Sequence, residues 1–551
     1  MLRFEPRGVP DPAPFPGLEG WLSALLRLRG VSTAEEAEQF LNPVLSDLHD
    51  PFLLHDMHRI VAILRDAVSR SLPVMIWGDY DADGVCAAAI LTEALREEGA
   101  DVSWRLPSRH AEGYGLNEAA VREIAVNFRV LVTVDCGISN HAEVSLARRL
   151  GLTVIVTDHH ALPPELPEAD AVTNPLLDGY PCPDLCGAGV ALKICQALQG
   201  MAGVEKHLDL AAVATVADVV PLLGENRIIV REGMRRIGSD LRPGLQALLE
   251  ASATKLPLKS DDLAFRISPR LNAAGRMESA NLAAELLLTA DPARAAELAE
   301  HLESLNARRQ RMEKEITDAA DAQARSRADF DSTRVLMVIG NDWNPGLIGL
   351  TAGRLCERYH KPSIALSLQG DIATGSCRSI PGVNIFKMLQ SCSDLLERFG
   401  GHAQAAGLSI RKDRLREFYH RLNRVILDSC DPACFEPLKE YDLSVPFTAW
   451  TPESLSRLSL LEPTGCGNPA PVFLLPSASV QSMRRVGRDL AHLQMTLLSG
   501  GTFLKGIGFS MGNAADAGFR DIDILYRPIL NEFRGKISVE AQVTAIRPSN
   551  S

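Results

Sequence analysis

The stretch Val74-Met-Ile-Trp-Gly-Asp79-Tyr-Asp81-Ala-Asp83-Gly84 joins a short apolar run to three alternating aspartates. An apolar run of this length, followed by a turn and then a helical pattern, is typical of a buried parallel strand and its crossover helix. Gly84 leaves the backbone free to turn into that helix. The stretch therefore predicts an α/β domain with carboxylates at the carboxyl edge of its sheet.

Three more acidic blocks lie farther along the chain. Asp135 follows the apolar run 130–134, Asp158-His159-His160 follows the run 152–157, and Asp218 lies in an Ala-Asp-Val-Val-Pro segment. We expect these carboxylates to converge in one crevice: Asp79, Asp81, Asp83, Asp135, Asp158 and Asp218. Their repulsion would not be screened there, so cations must neutralise them. The blocks therefore predict bound metal, with two ions.

The donor set indicates which metal and which chemistry. Carboxylate oxygens with one imidazole favour Mn²⁺, with Mg²⁺ possible, over zinc. Two such ions suit the hydrolysis of a phosphate ester. Asp135, alone at its strand end, is the natural bridging carboxylate, whereas Asp158 could instead orient the His159 ring. For the first block taken alone, an Asp-rich turn that caps a helix is the competing interpretation.

Length and composition exclude several classes of protein. The 551 residues are 46% hydrophobic and 23% charged, which is typical of a globular protein with real cores. No run approaches about 18 apolar residues, so we expect no membrane span. The N-terminus lacks a signal core, and the 11 cysteines follow no disulfide or zinc spacing, so we expect a reduced, cytoplasmic protein. The formal net charge of −12 neither indicates nor excludes a nucleic-acid partner.

Periodicity divides the chain into a lead-in and three modules. A long helix begins at Asp291-Pro292 and meets no Gly or Pro before Asp331, so we expect it to separate two domains. An ordinary packed helix of one large domain is the alternative. The predicted parts are a lead-in over 1–60, a parallel-sheet domain over 61–290, the helix over 291–331, a smaller α/β domain over 332–432 and a β-barrel over 436–548.

Seven motifs resemble the DHH phosphoesterase superfamily, and within it the single-stranded-DNA-specific 5′→3′ exonucleases. The motifs begin at Gly78 (GDYDADG), Asp158 (DHH), Ala217 (ADVVPL), Phe265 (FRISPRLNAAGR), Cys377 (CRSIPG), Gly400 (GGH) and Gly465 (GCGNPAP). The resemblance covers nearly the whole chain. It implies a DHH catalytic domain, a connecting helix, a DHH-associated domain and an OB-fold.

The resemblance also assigns roles at the metal site. Asp81 and Asp135 would hold one ion, while Asp83, Asp135, His159 and Asp218 would hold the other. His160 would contact the scissile phosphate. Many relatives carry a histidine ligand where this chain has Trp77, which cannot bind a metal, and Asp79 is expected to substitute.

Phosphate-binding chemistry is predicted in the second α/β unit. Arg378 and Ser379 offer a guanidinium and a hydroxyl, and Gly401 and His402 offer backbone amides and a ring donor. Arg109, Asn272 and Arg276 are candidate partners from the first domain. The resemblance places residues of this kind around a terminal 5′-phosphate, although a solvated surface role is equally open for any single arginine.

The C-terminal barrel combines basic and aromatic residues, as single-strand-binding modules do. For most of the aromatics, a place in the barrel core is the favoured interpretation. The basic set is Arg484, Arg485, Arg488, Lys505, Arg527, Arg534 and Lys536, and the aromatic set is Phe503, Phe509, Tyr526 and Phe533.

The leading hypothesis is an exonuclease that releases 5′-mononucleotides from single-stranded DNA in recombination and repair. The alternatives are a phosphodiesterase for short oligonucleotides or cyclic dinucleotides and a non-catalytic replication scaffold. By the resemblance, single-strand-binding protein and a RecQ-type helicase are expected partners of a monomer with no membrane association.

Overall fold

The computed structural model of this chain describes residues 2–9, 11, 13–109, 112–533 and 536–549. Two α/β domains are joined by a long helix and followed by a closed β-barrel. The predicted fold class is therefore confirmed.

The N-terminal segment differs from the predicted lead-in. Strand β1 (Arg3–Pro6) pairs in parallel with Leu438–Tyr441, and buried side chains between Phe15 and Leu41 lie in the core of the barrel. From Leu48 onward, side chains join the core of the first α/β domain instead. No local pattern reveals this docking, because both partners lie far away along the chain. The helices of the segment are Gly20–Leu28, Ala34–Leu41 and Met57–Ser69, with short 3₁₀ turns at Leu45–Asp47 and Pro51–Leu53.

The first α/β domain contains a five-stranded parallel sheet. Its strands are β2 (Val74–Trp77), β3 (Val102–Arg105), β4 (Val130–Val134), β5 (Thr153–Thr157) and β6 (Ala171–Thr173), in the order β3-β2-β4-β5-β6. Every residue of β2 and β4 is buried, because helices cover both faces of the sheet. Alternate residues of β2 enter separate cores on the two faces. Strand β6 was not predicted.

Helices surround this sheet and continue beyond it. They are Ala82–Glu97, Glu118–Asn127, His141–Arg149, Gly187–Gln199, Met201–Ala217, Gly224–Ile237, Pro243–Ala251, Ser268–Met277 and Asn281–Leu288. A short helix at Ser260–Asp262 runs into a π-helical turn at Leu263–Ile267.

The connecting helix spans Pro292–Arg325. Asp291 caps it by accepting a hydrogen bond from the Ala293 N–H at 2.9 Å. Its first half packs into the core of the first domain and its last turns pack into the second domain. The helix ends at Arg325, before the predicted limit at residue 331, and Arg327 pairs with Asp329 at 2.9 Å just beyond it.

The second α/β domain has a mixed sheet. Its strands are β7 (Leu336–Asn341), β8 (Ser363–Gln369), β9 (Ile372–Arg378), β10 (Arg398–Gly401) and β11 (Ala405–Arg411), in the order β10-β11-β9-β8-β7. Only β7 and β8 are parallel. Helix Pro345–Tyr359 lies between this sheet and the connecting helix, and helix Leu415–Ser429 covers the other face. A short helix spans Ile385–Gln390.

The C-terminal barrel closes because its first long strand pairs with two others. Its elements are β12 (Leu438–Tyr441), β13 (Leu443–Ser444), helix Pro452–Leu458, β14 (Phe473–Val486), β15 (His492–Ser499), β16 (Thr502–Gly508), β17 (Asp521–Phe533) and β18 (Lys536–Pro548). Strand β14 pairs with β17 through one half and with β15 through the other, with a register shift in each pairing. Among the helices of the described residues, none combines the length and apolarity needed to cross a bilayer.

Candidate active site

The carboxyl ends of β2, β4 and β5 meet at one edge of the parallel sheet, and three acidic blocks leave the sheet there. As the sequence predicts, their side chains gather with Asp218. Ligand atoms lie within 4.8 Å of one another in three overlapping groups: Asp79, Asp81 and Asp135; Asp83, His159 and Asp218; Asp135, His159 and His160. We call the five aspartates Asp79, Asp81, Asp83, Asp135 and Asp218, with His159, the acidic cluster.

Two members of the acidic cluster are fixed by helix N-termini. Asp81 precedes helix Ala82–Glu97, and its Oδ1 accepts hydrogen bonds from the N–H groups of Asp83 at 3.0 Å and Gly84 at 3.1 Å. Asp83 accepts from the N–H groups of Gly187 at 2.7 Å and Ala188 at 2.8 Å, at the start of helix Gly187–Gln199. The unpaired N–H groups of a helix start favour a carboxylate. Both side chains are therefore held in place, with lone pairs left for another partner.

Asp135 and His159 face each other at the centre of the cluster. The His159 Nε2 atom lies 3.1 Å from Asp135 Oδ1 and 3.7 Å from an oxygen of Asp83 and of Asp218. Helix Gly187–Gln199 packs directly behind, since a Cβ on Gly187 would lie only 2.5 Å from the Asp135 Cβ. This glycine is required by the close approach of the two backbones.

Three buried atoms of the cluster have no hydrogen-bond partner among the described residues. They are Asp79 Oδ1, Asp135 Oδ1 and His159 Nε2. The 3.1 Å contact of the last two is too poorly aligned to be a hydrogen bond. Buried polar atoms without partners are costly and rare. Carboxylate oxygens and an imidazole nitrogen directed at common space have the chemistry of a divalent-cation site, so these residues fit a bound metal.

Burial shifts the pKa values of the cluster. Desolvation, with the nearby charge of Asp81, raises the pKa of Asp79 to about 8. Desolvation, with the charges of Asp83 and Asp81, raises the pKa of Asp218 to about 8. The pKa of Asp135 is raised well above its ordinary value by burial and then by Asp83. Burial also lowers the pKa of His159, which favours the neutral, ligating imidazole.

Asp158 orients His160 rather than His159. Its Oδ1 lies 2.7 Å from His160 Nδ1, whereas only the backbone N–H of His159 reaches it, also at 2.7 Å. Burial is the largest influence on the pKa of His160 and lowers it, but the hydrogen bond and charge of Asp158, together with the charges of Asp218 and Asp83, raise that pKa to about 9. Burial by itself would raise the pKa of Asp158, yet the hydrogen bond and charge of His160, with backbone N–H donors, together hold it below its ordinary value. The alternative in which Asp158 orients the His159 ring is therefore wrong.

Trp77 is fully buried in the core on one face of the sheet. Its indole Nε1–H donates to the Gly115 carbonyl at 3.3 Å, and the Arg105 guanidinium lies 5.2 Å from its ring. Trp77 therefore occupies a packing position. Asp79, two residues on, lies in the acidic cluster.

A second cluster contains four arginines: Arg109, Arg276, Arg309 and Arg378. Burial and then the charges of Arg109 and Arg309 lower the pKa of Arg276 to about 10, against a smaller opposing effect of Asp81. Burial likewise lowers the pKa of Arg309 and Arg378. We call this group the arginine cluster. It borders the acidic cluster where Arg109 lies over Tyr80, the residue before Asp81, and its members come from both domains and the connecting helix.

Each arginine is held by its surroundings. Arg109 stacks over Tyr80 at 3.9 Å, and Arg276 Nη1 donates to the Gly346 carbonyl of the second domain at 2.7 Å. Arg309, on the connecting helix, donates to Glu313 at 2.6 Å. Arg378 ends β9 and donates to Ser376 Oγ at 3.1 Å. The structure thus brings together the predicted Arg109, Arg276 and Arg378, although their role stays a prediction.

Asn272 and Ser379 make internal contacts. Asn272 Oδ1 accepts from the Ala82 N–H at 3.0 Å and so supports the start of the helix that carries Asp83. The Ser379 hydroxyl donates to the Val383 carbonyl at 2.7 Å. The hydroxyl beside Arg378 belongs to Ser376, because residues two apart on a strand share a face.

Gly401 and His402 lie at the same end of the second sheet as Arg378. Gly401 pairs with Ala406 on β11, and the neighbouring Ala405 pairs with Arg378 on β9. Two strand spacings, about 10 Å, therefore separate Gly401 from Arg378. The His402 N–H is engaged by the Ala405 carbonyl at 2.8 Å, so only its exposed ring is available to a ligand.

Comparison with known proteins identifies the domains. The DHH family, N-terminal domain, matches residues 73–216, the DHHA1 domain matches residues 332–428, and the RecJ OB domain matches residues 441–545. The single-stranded-DNA-specific exonuclease RecJ of Escherichia coli K12 is 34% identical over 100% of this chain and 99% of its own length. The chain belongs to the RecJ family.

Other RecJ family members agree. The Bacillus subtilis relative is 37% identical over 89% of this chain, but the chain spans only 63% of that protein. Thermus thermophilus RecJ in complex with Mn²⁺ has a TM-score of 0.87 at 31% identity and covers 100% of this chain and 80% of its own. The Mg²⁺ complex has a TM-score of 0.80. The Thermus thermophilus relative thus binds Mn²⁺ and Mg²⁺, and the acidic cluster here has the donors for such an ion.

Three residues in or beside the two clusters are not among those that the sequence predicts. Ser376 could have been found from its two-residue spacing to Arg378 on a strand. Tyr114 has no such signal, yet its hydroxyl lies 3.2 Å from His160 Nδ1. Arg309 lies on the connecting helix, and nothing local in the sequence places it beside the other arginines.

The barrel places its aromatic residues in two groups. Tyr526 is fully buried in the core, whereas Phe503 and Phe509 are 67% and 55% exposed. Strand β16 and the turn after it therefore present aromatic rings near the exposed Lys505. Arg534 and the side chains of Phe533 and Lys536 lie outside the described residues.

Proposed function

We propose that this chain is a metal-dependent exonuclease that degrades single-stranded DNA from the 5′ end and releases 5′-mononucleotides. The observation that carries the proposal is the acidic cluster lying directly beside the arginine cluster. One has the donors for divalent cations, and the other has the charge for a phosphate. A DNA end would occupy both.

The acidic cluster would hold two ions, Mn²⁺ or Mg²⁺. One would lie among Asp79, Asp81 and Asp135 and the other among Asp83, His159 and Asp218, with Asp135 close enough to both groups to be shared. When bound, the ions would supply the acidification of water and the neutralisation of phosphate charge that hydrolysis requires.

His160 and Asp158 would act on the scissile phosphate. The His160 ring is partly exposed, and the hydrogen bond to Asp158 favours its protonated form, with a pKa of about 9 in the metal-free protein. Asp158 fixes Nδ1, so Nε2–H remains to donate to a phosphate oxygen. A cationic donor at this place would stabilise charge that develops in the transition state.

The arginine cluster would set the polarity of digestion. A terminal 5′-phosphate carries more negative charge than an internal phosphodiester, and guanidinium groups bind such oxyanions with paired hydrogen bonds. Arg109, Arg276 and Arg378, with Ser376, would hold that end beside the ions. Cleavage would then remove one nucleotide at a time.

One helix face offers a path for the rest of the strand. Phe265, Pro269, Asn272 and Arg276 follow one another at steps of four, three and four residues, which places them on a common face. Phe265, at the far end, is 75% exposed, and an exposed ring can stack on an unpaired base. The exposed Phe503 and Phe509 of the barrel would offer further rings for stacking.

Digestion of end-labelled DNA with Mn²⁺ tests the proposal. We expect a 5′-phosphorylated single strand to lose its 5′ label at once as a mononucleotide, while a 3′ label shortens progressively and a blunt duplex resists. Shortening from the 3′ end would contradict the proposal. Faster turnover of dinucleotides or cyclic dinucleotides than of long strands would favour a small-molecule phosphodiesterase.

The wider setting is also proposed. Recombination and repair would be the processes served, with single-strand-binding protein and a RecQ-type helicase as partners of a cytoplasmic monomer. All eleven cysteines are unpaired, which suits a reducing compartment. Light scattering of the purified protein would measure its oligomeric state, and a pull-down with purified single-strand-binding protein would test that contact.

A further inference from the structure

Asp218 differs from the other aspartates of the acidic cluster in what holds it. The others directly follow strands of the sheet or accept hydrogen bonds at helix starts, whereas Asp218 follows the end of helix Met201–Ala217. Its side chain is 25% exposed, and the next residue, Val219, is 68% exposed with φ +62°. A ligand on such a segment needs support from elsewhere in the fold.

A loop of the barrel domain contacts the segment that carries Asp218. The Leu222 N–H donates to the Cys466 carbonyl at 2.8 Å. A Cβ on Gly467 would lie 3.0 Å from Pro221 Cβ, and one on Gly465 would lie 2.8 Å from Leu222 Cδ1. The loop and the segment therefore touch so closely that neither can shift alone.

The loop is itself fixed. Asn468 is fully buried, and its Nδ2 donates to the carbonyls of Leu461 and Pro463, each at 2.8 Å. Its Oδ1 accepts from Arg29 Nε at 2.6 Å. The Thr464 carbonyl accepts from the Ser260 hydroxyl at 2.6 Å. The loop is thus anchored in the N-terminal segment, the barrel domain and the first domain.

We propose that residues 464–468 position Asp218 for metal binding and so couple the barrel domain to the metal centre. Gly465 and Gly467 are positioning residues in this account: a displacement at either is transmitted through Pro221 and Leu222 to Asp218. The inference rests on the proposed function only in taking Asp218 as a metal ligand.

Two alanine substitutions in the full chain give a matched test. Gly467 and Gly518 have φ values of +69° and +64°, so Gly467→Ala and Gly518→Ala carry similar backbone strain. A Cβ on Gly518 meets no atom within 4 Å, whereas one on Gly467 meets Pro221. Of the two substitutions, only Gly467→Ala therefore places a methyl group in close contact with Pro221, on the segment that carries Asp218.

Mn²⁺ binding, measured by calorimetry and electron paramagnetic resonance, is the main readout. We expect Gly467→Ala to weaken one Mn²⁺ site by about tenfold or more, the usual scale for losing support behind a ligand. Nuclease activity of this variant should recover at higher Mn²⁺ concentration. Gly518→Ala should bind Mn²⁺ as the parent protein does. Equal affinities for the two variants would overturn the proposal.

Gly465→Ala decides the question if circular dichroism shows that Gly467→Ala does not fold. The Cβ added at residue 465 would meet Leu222 Cδ1, the movable end of a side chain, so this substitution is milder than Gly467→Ala. Weakened Mn²⁺ binding in Gly465→Ala supports the proposal, and unchanged binding refutes it. Because binding is measured without DNA, a protein that binds Mn²⁺ but lacks nuclease activity would refute the proposed function while leaving this test intact.

Discussion

The acidic cluster and the arginine cluster each gather side chains of like charge that are wholly or partly withdrawn from water. Burial disfavours the charged form in both, so it raises the pKa of the carboxyl groups and lowers the pKa of the guanidinium groups. The two clusters therefore select opposite ligands. Divalent cations suit the first, and a phosphate suits the second.

Arg227 shows that burial alone does not mark a site. Its pKa is lowered to about 9 by burial, much as that of Arg276 is. Yet Arg227 donates to five backbone carbonyls, those of Phe40, Leu460, Leu461, Glu462 and Pro463. A buried arginine satisfied in this way ties three parts of the fold together. Whether a buried charged side chain marks a binding site thus depends on its hydrogen-bond partners as well as on its burial.

The largest effect is expected at the carboxylate shared by both halves of the acidic cluster. Asp135→Asn keeps the shape of the side chain but removes the charge that holds the cations. We expect kcat to fall by at least about 1,000-fold, or about 4 kcal/mol of barrier. Binding of single-stranded DNA should persist. Asp101→Asn, an exposed position at the opposite edge of the same sheet, is the control; comparable losses in both variants would argue against the metal site.

Metal affinity should depend on pH because the carboxyl groups are protonated in the absence of metal. With pKa values of about 8, Asp79 and Asp218 hold protons at pH 7 that a bound cation must displace. Mn²⁺ affinity should therefore fall as the pH drops from 8 to 6, by about tenfold per pH unit for each proton displaced. Calorimetry in buffers of different ionisation enthalpy counts those protons. A Mn²⁺ affinity independent of pH would contradict the raised pKa values of Asp79 and Asp218 and burial as their cause.

Removing one member of the arginine cluster should affect binding of the DNA end more than the chemistry. For Arg378→Ala we expect KM for a 5′-phosphorylated strand to rise by about 10- to 100-fold, as for loss of a charge-assisted hydrogen bond of about 1.5–3 kcal/mol. A strand with a 5′-hydroxyl should respond much less. Arg416→Ala, on the exposed face of the outer helix of the same domain, should leave both values unchanged. If Arg378→Ala raised KM equally for 5′-phosphorylated and 5′-hydroxyl strands, Arg378 would not be a ligand of the terminal phosphate.

The smallest effect on activity is expected for the arginine that belongs to neither cluster. Arg227→Met leaves five buried carbonyls without their donor, so we expect the free energy of unfolding to fall by about 2–3 kcal/mol and the melting temperature by about 2–3 °C. Activity at 25 °C should stay within about twofold. Arg235→Met, on the same helix with a side chain that is 77% exposed, should change neither quantity. A specific loss of DNA binding in Arg227→Met would place this arginine in the substrate site.

Much of the acidic cluster was predictable, because parallel strands leave their carboxyl ends at one edge of a sheet. Asp79, Asp135 and His159 follow directly from that rule. The pairing of Asp158 with His160 was not predictable, since one residue along a turn decides which ring the carboxylate reaches. The sequence alone favours Ser379 as the hydroxyl beside Arg378, because the two residues are neighbours in the chain. The structure places the Ser376 hydroxyl against the Arg378 guanidinium instead, because residues two apart on a strand share a face.

The sequence by itself determined the order of the domains, the connecting helix and the gathering of aspartates, since these depend on short-range periodicity and on sheet geometry. Only the tertiary structure decided how the N-terminal segment docks on the barrel, how four arginines from separate elements meet, and what supports Asp218. Those arrangements depend on contacts between residues far apart in the chain. No local preference encodes such contacts, because they form only when separate hydrophobic cores pack together.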